Sequence, residues 1–353
     1  MGQARELLFK RKSRGVPEDL MDKTRNGSRR HLNMVRFPQF PSSLLRMQLP
    51  ETPKSTNAPP MIQLAVGDLL TDYHRHTERT NMPHHNEFLV SDFAPKAWGG
   101  ICDLLGGSAR VDGNASTWKD GFIVNLGTPE GHNKVVKPQD LPGWHVDGDF
   151  FVHYLDSPEQ ALLVIPLWSD INAGGGGTYI CPAAIPTVAK HLYENPDGVS
   201  SRMTPRAQNP NFVPEQGLKW FNDLAASMPD EAFVEATGKV GDVYLLHPLM
   251  LHSASNNQLR QVRVITNPPV SVKEPFEFDR ADGAYSAVER KTMKALGKER
   301  LEGWTVRTTR QQVVPERVRI QQEMKKKEEE RLRKLNETEG SGLTASKEVD
   351  PVA

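Results

Sequence analysis

Hydrophobic positions fall into two regimes along this chain. Over 62–79 and again over 93–105, apolar residues recur at three- and four-residue spacing, the period of an amphipathic helix. Ser91 or Asp92 would cap the second helix at its start, and Gly106-Gly107 would stop it. From Gly121 onward the apolar runs shorten and are separated by glycine, proline and polar clusters, which predicts strands. Expected strands cover 121–126, 144–154, 161–168, 178–181, 232–237, 242–246 and 262–266. The run 161–168 is almost wholly apolar and should be buried on both faces. Pro186 opens a helix to Glu194 that Asn195-Pro196-Asp197-Gly198 ends. A shorter helix is expected over 218–226, inside an insertion spanning 200–230.

Many short strands with their helices outside the run predict a mainly β fold with flanking helices, a jelly roll or related cupin-like barrel. The strand–helix alternation of a doubly wound sheet is missing. Three parts follow. Residues 1–60 read as a largely irregular arm, basic through Arg36 and then rich in proline and serine. Residues 61–310 form the folded domain, with a β core over about 118–270. Residues 311–353 hold a charged, solvent-exposed helix over 316–335 and a disordered tail over 337–353.

Composition narrows the classes. Lys+Arg and Asp+Glu are equal at 44 each, so no global field draws the chain toward nucleic acid or a membrane surface. No run of eighteen apolar residues is present, so no membrane span is expected. The start lacks a signal-peptide core, and Glu6 stands where a myristoylation signal wants Ser or Thr. Two cysteines, Cys102 and Cys181, are too few for a disulfide framework and read as inert thiols in a reducing compartment. A cytoplasmic location is the expectation. Gly174–Gly177 lacks the Lys-Ser/Thr that a phosphate loop needs, and no Gly-x-Ser-x-Gly elbow occurs.

Candidate chemistry centres on His145-Val146-Asp147, just after the loop Asp140-Leu141-Pro142-Gly143-Trp144. A histidine and a carboxylate two residues apart on a strand point to one face. With one more histidine they make the 2-His-1-carboxylate triad of non-heme Fe(II), which leaves positions open for reactants. The third ligand would come from the segment 241–253, where a Gly-Asp turn precedes a strand ending in a histidine. Both His247 and His252 lie there. His247 would face the opposite way from His252 on a straight strand. Asp149 is a rival carboxylate, whereas His74, His76, His84 and His85 sit in a polar region that favours solvation. Arg263 follows His252 by eleven residues, inside the strand-like run Val262-Arg263-Val264-Ile265. Arg260 is its rival, with opposite strand parity.

Trp144-His145-Val146-Asp147, Gly-Gly-Thr at 176–178, Gly241-Asp242 and His252-Ser253-Ala254-Ser255-Asn256-Asn257 with Arg263 resemble the phytanoyl-CoA dioxygenase family, over roughly 90–270. That family belongs to the Fe(II)- and 2-oxoglutarate-dependent oxygenases. The resemblance implies a double-stranded β-helix with iron at its mouth. His145, Asp147 and His252 would be the ligands, and Arg263 the arginine that grips 2-oxoglutarate. Asn125 and Trp168 would line the cosubstrate pocket, with Ser253 or Ser255 supplying a further contact to the cosubstrate. The cofactors implied are Fe(II), 2-oxoglutarate and O2. The reaction implied is oxidation of a C–H bond in a small organic or lipid-like substrate, with release of succinate and CO2. Two departures stand out. Where the family reads Pro-Gly-Ser-His after the glycine-rich turn, this chain has Pro182-Ala183-Ala184-Ile185, near the expected mouth. Ala254 replaces a frequent serine. The alternatives are a non-catalytic cupin-like binding protein and an oxygen-independent metal isomerase. Neither needs a carboxylate clamp at Arg263.

Overall fold

Leu162–Pro166 places five apolar residues in succession, and all five are buried. A strand shielded on both faces must lie between two packed layers, so this segment fixes where the core sits. The computed structural model describes residues 86–315 except 214, together with the strands at 34–36 and 79–81 and scattered helical positions between 318 and 333.

The strands, in chain order, are β1 (Met34–Arg36), β2 (Arg79–Asn81), β3 (Glu87–Leu89), β4 (Thr117–Lys119), β5 (Ile123–Asn125), β6 (Leu162–Pro166), β7 (Thr178–Cys181), β8 (Val234–Ala236), β9 (Asp242–Leu246), β10 (Leu251–Ala254), β11 (Arg263–Ile265) and β12 (Pro269–Val270). Helices are α1 (Val90–Phe93), α2 (Pro95–Leu105), α3 (Ile185–Glu194), α4 (Lys219–Ala226) and α5 (Ala287–Ala295). Small antiparallel sheets dominate, in the orders β1-β9-β6-β12, β10-β7-β8 and β11-β5-β2, with β3-β4 as a separate pair. A bridge between Leu167 and Ile265 ties the first sheet to β11.

Strand alternation sorts the core in two. Leu163 and Ile165 of β6, Tyr244 and Leu246 of β9, Ile180 of β7 and Ile265 of β11 share one inner apolar cluster. Their neighbours Leu162, Val164 and Val243 pack instead with Ala97, Ile101 and Leu105 of α2 and with Val188 and Leu192 of α3. Each such leucine or isoleucine withdrawn from water contributes roughly 1.5–3 kcal/mol. The result is a β-rich fold with flanking helices. Among the described residues, no helix is long and apolar enough to cross a membrane.

Several expectations need correction. Residues 144–154 do not form a strand and show only isolated bridges at His145, Phe151 and His153. Gly148 is the reason: its φ of 122° breaks the extended run, and a Cβ there would lie 2.6 Å from the Phe151 ring. The strand after the Gly241-Asp242 turn stops at Leu246, and His252 lies on a separate strand, β10. Ser91 and Asp92 fall inside α1, whereas α2 starts at Pro95 with no side-chain cap. Gly106 does end α2, in the left-handed conformation. In Pro182-Ala183-Ala184-Ile185, Ala183 is exposed, whereas Ala184 and Ile185 are fully buried and Ile185 belongs to the inner cluster. Helix α5 carries a capping box, Ser286 with Glu289, that the apolar pattern does not announce.

Arg79, the last residue of the helix expected over 62–79, begins β2 instead. The rest of that segment, His74, His76, His84, His85 and the 337–353 tail lie outside the described residues. So does the 1–60 arm apart from β1, which pairs with β9. Over 316–335, the described positions are helical, and all but Val318 are exposed.

Candidate metal centre

Trp144 fixes the first element of the site. It is fully buried, packs with its ring tilted against Phe233, centroids 5.2 Å apart, and donates its indole N–H to the Pro138 carbonyl at 2.8 Å. Asn222 on α4 clasps the same loop, donating to the Pro142 carbonyl at 3.0 Å and accepting from the Trp144 amide at 3.3 Å. The insertion therefore reaches the loop that carries His145, through a residue the sequence does not single out. An asparagine on a short helix gives no local signal of a contact eighty residues away.

His145 leaves this loop paired with His252 on β10. The two exchange backbone hydrogen bonds, each 2.9 Å, and their rings lie 4.2 Å apart. His145 Nδ1 lies 2.8 Å from the Gly143 carbonyl, and His252 Nδ1 lies 3.0 Å from that of Met250. Carbonyls only accept, so both Nδ1 atoms carry a proton and, in the neutral ring, the lone pair is on Nε2. Both Nε2 atoms converge on Asp147, with Oδ1 3.4 Å from His145 Nε2 and 3.6 Å from His252 Nε2. Among the described residues, His145, Asp147 and His252 are the group whose ligand atoms come together, all within 4.8 Å.

This donor set fits a metal. An ion about 2.1 Å from each ligand atom holds adjacent ligands roughly 3 Å apart, about half an ångström closer than the two His–Asp distances of 3.4 and 3.6 Å. Nδ1–H groups tied back to carbonyls are the usual support behind ligating imidazoles, because they fix tautomer and ring orientation.

A cavity beside the cluster is lined by His145, His252, Thr178, Asn267 and Arg263. Ile123, Leu163, Ile165 and Ile265 supply its apolar wall. Arg263 is buried and donates from Nε to the Gly176 carbonyl at 2.8 Å. Asp147 lines the adjoining cavity, with Phe151, Tyr154 and Gln160.

The other expected pocket residues are distributed differently. Asn125 lies directly opposite Arg263 across the β5–β11 ladder. It is buried, accepts from the Gly127 amide at 2.9 Å and reaches the Ser255 carbonyl at 3.4 Å. Trp168 joins a cluster with Phe88, Phe93 and Phe122 and donates to Thr266 Oγ1 at 3.0 Å. Ser253 follows His252, so strand alternation turns it to the other face of β10. There it is fully buried, and a Cβ on Gly143 would lie 3.1 Å from its hydroxyl. None of Asn125, Trp168 and Ser253 is among the residues that line the cavity.

The rivals separate clearly. His247 is not in the cluster: its Nδ1 accepts from the Leu249 amide at 3.1 Å and its Nε2 lies 3.1 Å from Thr292 Oγ1. Burial, with Lys291 nearby, pushes its pKa down to about 3. Asp149 is half-buried outside the cluster, and Arg260 is exposed in a turn with φ 49°. Cys102 and Cys181 are both free, and burial raises both thiols, Cys181 to about 11.

No family model matches the chain, and no curated protein matches it in sequence. Among solved structures, the non-heme alpha ketoglutarate dependent carbocyclase SnoK from nogalamycin biosynthesis matches at 16% identity, over 72% of this chain and 87% of that one. The TM-score is 0.26, a superposition too loose to transfer fold or reaction.

Proposed function

We propose that the chain is an Fe(II)- and 2-oxoglutarate-dependent dioxygenase that oxidises a C–H bond of a small organic or lipid-like substrate, with hydroxylation as the default outcome. The single observation that carries this reading is the convergence of two imidazole Nε2 atoms and one carboxylate, beside a cavity with Arg263 on its wall. His145, Asp147 and His252 would hold the iron. The chemistry supplied by bound iron is O2 activation coupled to conversion of 2-oxoglutarate to succinate and CO2.

The chain's own residues bind, orient and exclude water. Gly143 and Met250 hold the Nδ1–H groups, so both imidazoles stay in the ligating tautomer. Arg263 offers a planar guanidinium to the far carboxylate of the cosubstrate, and two parallel hydrogen bonds there would fix its direction. The wall formed by Ile123, Leu163, Ile165 and Ile265 keeps that end of the cavity dry. A clamp of this kind has no use in a metal isomerase or a passive cupin, which favours the oxygenase.

The jelly-roll form and the closeness to phytanoyl-CoA dioxygenases belong to the same proposal. Strand order supports the first. The chain passes from His145 beside β10, to β6 in the first sheet, to β7 and β8 in the second, back to β9 and again to β10. Such switching between two antiparallel sheets is what a jelly roll requires.

Anaerobic titration with Fe(II) and 2-oxoglutarate tests the proposal, followed by succinate release against a panel of metabolites. Binding of one iron and one 2-oxoglutarate is expected. In Arg263→Ala, iron should stay bound while 2-oxoglutarate affinity falls by about 2–4 kcal/mol, tens to hundreds of fold. A wild-type chain that binds Fe(II) but no 2-oxoglutarate would sink the reading in favour of the isomerase or cupin.

A further inference from the structure

Gly174–Gly177 is no phosphate loop, yet it cradles an anion, and the anion is the protein's own. Glu235 accepts from the Gly174 amide through both carboxylate oxygens, at 3.1 and 2.9 Å, and from the Gly177 amide at 3.2 Å. Amides turned toward one carboxylate form the concave nest that elsewhere holds phosphate. Gly174 and Gly176 sit at φ 77° and 80°, a region open to glycine at no cost. A Cβ on Gly177 would lie 2.9 Å from Glu235 Cγ and 2.8 Å from the Ala236 carbonyl, so the fit leaves no room for a side chain. Glu235 itself stands on β8, opposite Tyr179 of β7, and the sheet register sets its position.

The same turn also holds Arg263, which lines the cavity. Gly176, between the two amides that Glu235 holds, presents the carbonyl that accepts Arg263 Nε at 2.8 Å. Tying Nε fixes the plane of a guanidinium and hence the direction of its remaining donors. Hydrogen bonds weaken steeply as their angle opens. A Gly176 peptide free to rotate would therefore spoil two-point recognition while leaving the charge in place.

We propose that Glu235 is a positioning residue for the carboxylate clamp: it pins the glycine turn whose Gly176 carbonyl sets the plane of Arg263. The inference rests on the 2-oxoglutarate reading and deepens it. A mere structural strut would cost stability alone. A positioning residue costs cosubstrate affinity selectively.

The test compares Glu235→Gln and Glu235→Ala with wild type, all checked for folding by thermal melting. Iron content, 2-oxoglutarate affinity and the Arg263 Nε–H resonance are measured, the last assigned by its loss in Arg263→Lys. Glu235→Gln should weaken 2-oxoglutarate on the order of tenfold, the scale of one well-placed hydrogen bond. KM for the cosubstrate should rise with kcat and iron content unchanged, and the Nε–H proton should exchange faster. Formate, small enough to refill the emptied nest, should restore affinity and protection in Glu235→Ala. Folded variants with unchanged affinity and unchanged Nε–H protection would overturn the inference. A wild-type chain that binds no 2-oxoglutarate would instead remove the functional reading. The resonance, which needs no ligand, would then decide on its own whether Glu235 orders Arg263.

Discussion

His247 and His252 stand five residues apart, and the chain gives them opposite employment. His247 follows β9 directly and turns into the body of the protein, toward Thr292 on α5. Both its ring nitrogens are engaged. The Leu249 amide donates to Nδ1, so the proton sits on Nε2 and is offered to Thr292 Oγ1, whose own proton goes to the Val288 carbonyl. That imidazole is complete as it stands. His252, one strand later, is anchored from behind at Nδ1 and directs Nε2 at Asp147. What separates a structural histidine from a ligating one is therefore which nitrogen is held and what the other meets. Burial does not single out a ligand, because His252 is buried whereas His145, its partner in the cluster, is half-buried like His247.

Metal content breaks this comparison most sharply. His252→Ala removes one of three protein ligands and should weaken Fe(II) by more than about 100-fold, since even a lost partner behind a ligand costs 10- to 100-fold. His247→Ala should keep the metal. The opposite outcome, iron lost with His247 and kept with His252, would show that the two roles have been exchanged.

Part of this was legible in the sequence, although the period-two argument that set His247 against His252 assumed one straight strand, whereas β9 ends at Leu246 and His252 lies on β10. The apolar run around Leu162–Pro166 announced a strand buried on both sides, as found. Thr178–Cys181 and Asp242–Leu246 also coincide with their expected bounds. What stayed illegible depends on contacts between distant residues. The stretch after His145 looks extended by composition, yet Gly148 turns it, so His145 and Asp147 do not share a regular strand. Asn222 and Glu235 shape the site from the insertion and from β8, and neither lies within a motif. Strand β10 was hidden because Leu246-His247-Pro248-Leu249 reads as a continuation of β9, although Pro248 cannot donate to a ladder.

Stability sharpens the same contrast at a smaller scale. His247→Ala empties a half-buried site and leaves the Leu249 amide and Thr292 without their partner, which should cost about 1–3 kcal/mol in thermal or urea unfolding. Acid should expose the same residue. Burial pushes its pKa down to about 3, and that of His153, whose Nε2 meets the Gly148 carbonyl, down to about 4. An unfolded chain takes up these protons near the ordinary histidine value, about 6.5. Below that pH the unfolded state binds more protons than the folded one, so stability falls as pH falls. The slope is about 1.4 kcal/mol per pH unit for each histidine. His247→Gln should flatten it over the interval from about 6.5 down to about 3. A slope unchanged in that variant would remove His247 from the acid response.

The smallest effect expected is at Ser253, the residue beside the ligand. Its hydroxyl donates to the Ala254 carbonyl at 3.0 Å and packs under Gly143, on the side of β10 away from the cavity. Ser253→Ala keeps the Cβ and removes an oxygen that the cavity does not see, so iron content should not change. 2-Oxoglutarate affinity should move by less than about 0.5 kcal/mol, the ordinary range for a substitution away from such features. Thr178, on the cavity wall across from Ala254, is the matched control. Replacing it by valine keeps the shape and removes a hydroxyl inside the site, where a lost hydrogen bond is worth about 0.5–1.5 kcal/mol. Titrating both variants with 2-oxoglutarate ranks the two faces of one ladder. If Ser253→Ala weakened binding more than Thr178→Val, β10 would present its other face to the cosubstrate, and the contrast between His252 and its neighbours would have to be redrawn.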